Sequence, residues 1–244
     1  LYIGVILFFN IRYPELRWNW NSINTANLKF PKGFIWGTAT ASHQVEGNCD
    51  NNNWYQWENS VNSQGEPCIA RNQKSGIACD HWNRYKKDID LIAQLGVKHY
   101  RFSLEWSKIE PKMGEYDVNS LQHYSDLIDE LIKKGVEPVV TLHHFCHPVW
   151  FEKIGAFEKQ ENISHLVSFS EKVFDKYSDR VKYWCTINEP GVVALQGYFT
   201  GIFPPGIQNG KMAGKVFKNL LESHVQIYHA LKKHKNGSKV KIGI

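Results

Sequence analysis

A chain of 244 residues, 42% hydrophobic and 22% charged, is long enough for one large domain or two small ones, and its composition excludes intrinsic disorder. The formal charge of +5 would suggest a polyanionic partner only if the cations clustered, but they are scattered along the chain. The one compact run, Lys232-Lys233-His234-Lys235, closes an amphipathic stretch where cations oppose a helix dipole, so nucleic acids and anionic membrane surfaces are set aside as partners.

The chain opens on Leu1-Tyr2-Ile3-Gly4-Val5-Ile6-Leu7-Phe8-Phe9, an apolar run too short to span a bilayer, with neither an initiating Met nor a basic flank before it. It reads as the remnant of a signal sequence or as upstream residues. Residues 1–27 are therefore taken as an extension outside the fold, residues 28–244 as the folded domain, and no membrane span is expected. From residue 28 onward, apolar runs that suit buried strands alternate with amphipathic helical stretches. The strands expected are Phe34–Ala41, Val97–Glu105, Val136–His144, Val181–Asn188 and a short Val240–Ile244. Between them Trp82, Tyr85, Ile89 and Ile92 share one helical face, as do Leu121, Tyr124, Leu127, Ile128 and Leu131, and further helices fit Ile163–Tyr177 and Gly214–Lys233.

Repeated βα units with strands apolar on both faces fit either a (β/α)8 barrel or an open doubly wound sheet. No glycine-rich phosphate loop follows any strand, whereas polar and aromatic residues gather at the strand ends, which favours the barrel. Those residues are Gln44 and Glu46 after the first strand, Arg101 and Glu105 on the second, His143 and His144 on the third, and Asn188 and Glu189 on the fourth.

Glu189 stands in Thr186-Ile187-Asn188-Glu189-Pro190, where proline forbids further strand pairing and the acid is left at the barrel mouth. A carboxyl raised in pKa by burial and by a second carboxylate can donate a proton at neutral pH, as cleavage of an acetal requires. The competing reading is a structural Glu that caps the next turn or pairs with Arg101. Adjacent residues on a regular strand point to opposite faces, so Asn188 and Glu189 reach one ligand only if the strand ends or bulges there, and that irregularity is expected.

His143-His144-Phe145-Cys146-His147-Pro148 superficially resembles a metal cluster, but neighbouring strand residues diverge and neither HExxH nor a regular Cys/His spacing is present. No metal site and no cofactor are expected, and a single inward histidine that bonds a sugar hydroxyl fits better. Arg101, always charged, requires an acid: either a catalytic carboxylate or Glu105 on its own face. The nine tryptophans and eleven tyrosines suit sugar rings, although most are read as core. The five cysteines, odd in number and irregularly spaced, imply no disulfide framework and lean towards a reducing, cytoplasmic compartment. Against that lean stand two glycosylation triplets, at Asn162 and Asn236, which decide nothing.

Together these segments resemble glycoside hydrolase family 1, the β-glucosidases, β-galactosidases and phospho-β-glycosidases. The run from Phe34 to Gly47 is similar to that family's N-terminal signature, with Asn48 in a slot that usually holds a small residue. Gly76–Trp82, Tyr100–Trp106, Thr141–Phe145 and Thr186–Pro190 follow in the family's order. The resemblance implies a (β/α)8 barrel, of which about the first four and a half units are present, and hydrolysis of O-linked β-glycosides with retention of configuration. It implies Glu189 as general acid/base, Asn188 at the sugar 2-hydroxyl, Gln44 and His144 at other hydroxyls, and Arg101 as the group that orients the nucleophile.

Phe145, Cys146-His147-Pro148, Gly155-Ala156-Phe157, Glu105 and Lys108 depart from the family pattern and are expected to line the mouth. The family's nucleophile lies in a Glu-Asn-Gly triplet that occurs nowhere in these 244 residues. The chain therefore reads as an N-terminal half truncated in strand five, inactive alone, with open sheet edges available for self-association. Glu105 could substitute as nucleophile only if it came within about 5–5.5 Å of Glu189. The alternative is a non-catalytic glycan-binding or interaction module of the same fold.

Overall fold

The computed structural model describes residues 2–13 and 24–244; Leu1 and residues 14–23 of the expected N-terminal extension lie outside the described residues. The chain divides into two compact units, Leu1–Ile35 and Trp36–Ile244. In the first, helix α1 (Tyr2–Arg12) buries no residue, and Thr25–Asn27 form a single 3-10 turn capped by the Asn24 side chain.

The second unit is built on a five-stranded parallel sheet: β1 (Gly37–Ala39), β2 (His99–Ser103), β3 (Glu137–His143), β4 (Tyr183–Ile187) and β5 (Lys241–Gly243), in the order β1-β2-β3-β4-β5. All five expected strands form, each shorter at its ends. The order is informative, because a doubly wound sheet reverses direction at a switch point while a barrel adds each strand beside the last. Strictly sequential parallel neighbours identify these elements as part of a (β/α)8 barrel. The register, with Arg101 opposite Val139 and His143 opposite Ile187, places the C-terminal ends of β2, β3 and β4 along one rim.

Connections in this unit carry α2 (Ser42–Val45), α3 (Asn53–Glu58), α4 (His81–Gln94), α5 (Trp106–Ile109), α6 (Val118–Lys133), α7 (Val149–Lys153), α8 (Ile163–Tyr177), α9 (Pro190–Ala194) and α10 (Gly210–Lys233). The long helices form because their apolar residues recur every three to four positions: α8 buries Ile163, Leu166, Phe169, Val173, Phe174 and Tyr177, and α6 buries Leu121, Tyr124, Leu127, Ile128 and Leu131. Asp117 accepts the Ser120 N–H at the start of α6, and Asn209 accepts those of Lys211 and Met212 at the start of α10, satisfying donors that have no helical partner. At the far end of α10, Lys232 is not simply solvated: its ammonium donates to the Gly237 and Val240 carbonyls and so ties the helix to the entry of β5. Trp106, fully buried, stacks on Phe169 and meets Phe151, joining the β2–β3 and β3–β4 connections in one core.

Both glycosylation triplets are engaged internally. The buried Asn162 amide donates to the Ile154 and Ala156 carbonyls, and Asn236 donates to Ser178.

Candidate active site

Strands β3 and β4 both end in a backbone reversal that side-chain-bearing residues rarely adopt. Phe145, just past β3, has φ 67°, and Glu189, just past β4, has φ 47°. A left-handed non-glycine residue of this bulk costs on the order of 1–3 kcal/mol. At β4 the turn is the irregularity expected from the Asn-Glu-Pro run. Asn188 still donates its N–H to the His143 carbonyl at 2.8 Å, and the chain then turns left-handed at Glu189 before Pro190 opens α9. Asn188 is buried, whereas Glu189 is exposed and among the described residues makes no side-chain hydrogen bond or ion pair. The burial expected around Glu189 is thus not supplied by these residues.

Arg101 connects β2 to that turn. Its Nε donates to Thr141 Oγ1 at 2.8 Å and its Nη2 to Asn188 Oδ1 at 2.7 Å, so the guanidinium bridges β3 and β4 and holds the Asn188 amide in one orientation. No carboxylate pairs with it among the described residues. The alternative of an Arg101–Glu105 ion pair is overturned. Glu105 is wholly buried elsewhere, accepting from Ser42 Oγ at 2.9 Å, Asn52 Nδ2 at 3.2 Å and Ser107 Oγ at 2.6 Å. Held in that way, Glu105 is also no candidate nucleophile.

His143 and His144 diverge as strand neighbours must. His143 is buried against Phe157 and His147, and burial, with the two neighbouring histidines, holds its pKa well below the ordinary range. His144 faces an open cleft of about 370 Å³ that Gln44 also lines. Burial first, and the Arg101 cation second, push the His144 pKa down to about 4, so the ring is neutral at physiological pH. Its Nδ1 is buried without a hydrogen-bond partner. A neutral imidazole lining a cleft can serve a hydroxyl as donor or acceptor according to its tautomer.

The cleft also has aromatic walls that do not come from the strand ends. Trp54 from α3 and Phe203 meet edge to face at 4.9 Å between centroids, and Phe145 lies 6.0 Å from Phe203. Glu58, buried and accepting from the Ser75 backbone and hydroxyl, lines the same cleft. The signal available in the sequence was the Trp54-Tyr55-Gln56-Trp57 cluster in a polar, glycine-containing loop, where aromatics have little core to fill.

Gln44 and Glu46 separate. If strand alternation continued past β1 they would share a face, but the chain there is helical (α2), and two residues on a helix differ by about 200°. Gln44 is exposed towards the cleft, while Glu46 turns inward, where it accepts from Tyr124 Oη at 2.6 Å and pairs with Lys108 at 3.2 Å. Burial, reinforced by Glu105 and opposed by Lys108 and Tyr124, raises the Glu46 pKa to about 7. Gly47, at φ 84°, permits the turn that follows: a Cβ there would lie 2.3 Å from the Ile77 carbonyl oxygen. Of the departures expected to line the mouth, Phe145 and Cys146 do so; Glu105 and Lys108 belong to the buried network, and His147 pairs with Glu152 at 2.6 Å beneath the surface.

A model of glycosyl hydrolase family 1 matches residues 26–244. The chain belongs to this family. It is 38% identical to β-glucosidase A of Thermotoga maritima over 201 residues, 81% of this chain and 45% of that relative. It is 36% identical to the human cytosolic β-glucosidase over 208 residues, 83% of this chain and 44% of that protein. Among solved structures, it resembles the T. maritima β-glucosidase in complex with a methoxycarbonyl-substituted glucoimidazole at 35% identity and a TM-score of 0.83, covering 88% of this chain and 49% of that one. A β-glycosidase from Pyrococcus horikoshii matches at 40% identity and a TM-score of 0.79 over 89% of this chain and 48% of its own. The chain thus spans about half the length of the family 1 relatives it matches.

Proposed function

We propose that this family 1 chain contributes the acid/base side of an O-glycosidase that cleaves β-glucoside-like substrates with retention of configuration. Glu189, protonated, gives its proton to the glycosidic oxygen as the bond from that oxygen to C1 breaks, while a second carboxylate attacks C1 from the opposite face. The resulting glycosyl ester is then hydrolysed by a water whose proton returns to Glu189. Asn188, pinned by Arg101, presents its amide N–H to the sugar 2-hydroxyl, and Gln44 and neutral His144 bind other hydroxyls against the aromatic walls of the cleft.

The observation that carries this reading is the Arg101–Asn188 bond at 2.7 Å beside the left-handed turn at Glu189. It directs a half-buried cation and an oriented amide to the rim where an acid follows. In this reading Arg101 completes its charge pairing with the second carboxylate, which lies outside these 244 residues, as do the strands that pair with the free edges of β1 and β5.

The test is hydrolysis of an aryl β-glucoside. The 244-residue chain is expected to show little or no turnover, and a polypeptide extended through the second carboxylate to release the β-anomer first. In that extended protein Glu189→Gln should lower kcat/KM about 10²–10⁴-fold for a substrate that needs protonation. Unchanged kcat/KM in Glu189→Gln, or initial release of the α-anomer, would overturn the reading.

A further inference from the structure

Helix α1 differs from every long helix of the second unit in having no polar face. Its sequence, Tyr2-Ile3-Gly4-Val5-Ile6-Leu7-Phe8-Phe9-Asn10-Ile11-Arg12, carries large apolar side chains on all sides, and none of its residues is buried. Ile3 is 72% exposed, Leu7 55%, Phe8 60% and Ile11 78%. A helix that packs in a protein groove needs one apolar stripe and keeps the other side polar, whereas a helix apolar all round is suited to a surrounding apolar medium.

Two further observations favour lipid over protein as that medium. The Asn10 side chain, the only amide in the helix, donates back to the Ile6 carbonyl at 3.1 Å, so its polarity is partly satisfied within the segment, as hydrocarbon requires. The apolar run ends on Arg12 and Tyr13, residue types that settle at a membrane–water boundary, and the Arg12 guanidinium lies 5.6 Å over the Tyr13 ring. No described helix is long and apolar enough to cross a membrane. The eleven residues of α1 reach about 16 Å, roughly half of a hydrocarbon core.

We propose that α1 is a membrane-inserting segment: it enters one leaflet with its apolar side chains, and Arg12 and Tyr13 stay at the headgroups. Insertion is driven by apolar area, so a zwitterionic bilayer suffices as the partner.

The test is flotation of the purified 244-residue chain with phosphatidylcholine vesicles, using two double variants on opposite sides of the helix. Leu7 and Ile11 lie four residues apart on one side, and Val5 and Phe9 lie four apart on the other. The chain is expected to float with the vesicles, and both Leu7→Glu/Ile11→Glu and Val5→Glu/Phe9→Glu to lower the bound fraction at least tenfold with unchanged circular dichroism and thermal midpoint. Three results would overturn the proposal. The chain could stay in the dense fraction. Only one of the two variants could lose binding, which marks a one-sided groove. Or lipid-free sedimentation could reveal an oligomer that the variants dissolve while vesicle binding is absent, which marks a second copy as the partner.

Discussion

The two sides of the connection after β1 treat their polar groups differently. Inward, Glu46, Lys108, Tyr124, Glu105, Ser42, Asn52 and Ser107 form a closed network in which both carboxylates have partners within 3.2 Å. At the strand ends, by contrast, His144 beside the cleft keeps a buried nitrogen without a partner, Arg101 bonds an amide and a hydroxyl rather than an acid, and Phe145 and Glu189 hold left-handed backbone. Buried polar groups left unsatisfied and backbone held in strain are costly and persist where a ligand completes them, whereas a satisfied network specifies structure. On the proposed reading, this difference separates strand-end residues that serve the fold from those that serve chemistry.

Mutations should separate the two sides. The largest effect is the loss of about 10²–10⁴ in kcat/KM for Glu189→Gln in the extended protein, with a thermal midpoint that stays within a degree or two because the side chain is exposed. A large drop in the midpoint would move Glu189 to the structural side.

Next, Lys108→Met should destabilise the chain by about 3 kcal/mol in denaturant titrations at pH 8, because it leaves Glu46 buried without its cation. The deficit should shrink at pH 5.5. Folded Glu46 holds its proton up to about 7 and the unfolded chain releases it near 4.5, so its contribution to stability falls as pH rises between those values. Without Lys108 the folded state keeps the proton to still higher pH, and the decline continues where that of the parent chain stops. A deficit independent of pH would show that Glu46 is not the group involved.

Tyr124→Phe removes the hydroxyl that donates to Glu46 and accepts the Glu105 N–H, at an expected cost of about 2 kcal/mol in unfolding free energy. Glycoside affinity should not change. The smallest effect on the fold is expected for His144→Ala, within about 0.5 kcal/mol in stability, since its Nδ1 bonds nothing in the chain; binding of a monosaccharide inhibitor to the extended protein should weaken about tenfold. A His144 variant that unfolds and binds normally would erase the contrast between the two sides.

Much of the fold was legible because parallel strands are short, apolar runs bounded by turns, and the long helices repeat apolar residues at helical spacing; α8 begins and ends where the pattern does. The Asn188–Glu189 irregularity could also be read, since proline ends the strand and adjacent side chains must otherwise diverge. Less legible were the connections. Strand alternation puts Glu46 on one face with Gln44, because the short helix α2 does not announce itself in four residues, and a change of period from 2 to 3.6 reverses which side chains face together.

Sequence alone determined the family's ordered motifs, the βα alternation and the residue types at each strand end, because local periodicity and chain termination by proline are properties of neighbours along the chain. Only the tertiary structure decided that Arg101 grips Asn188 rather than Glu105, that Glu105 and Glu46 are sealed in a satisfied network, and that Trp54 and Phe203 wall the cleft. Those outcomes depend on which distant segments compete for the same hydrogen bonds and the same buried space, a competition settled only when the strands take their places side by side.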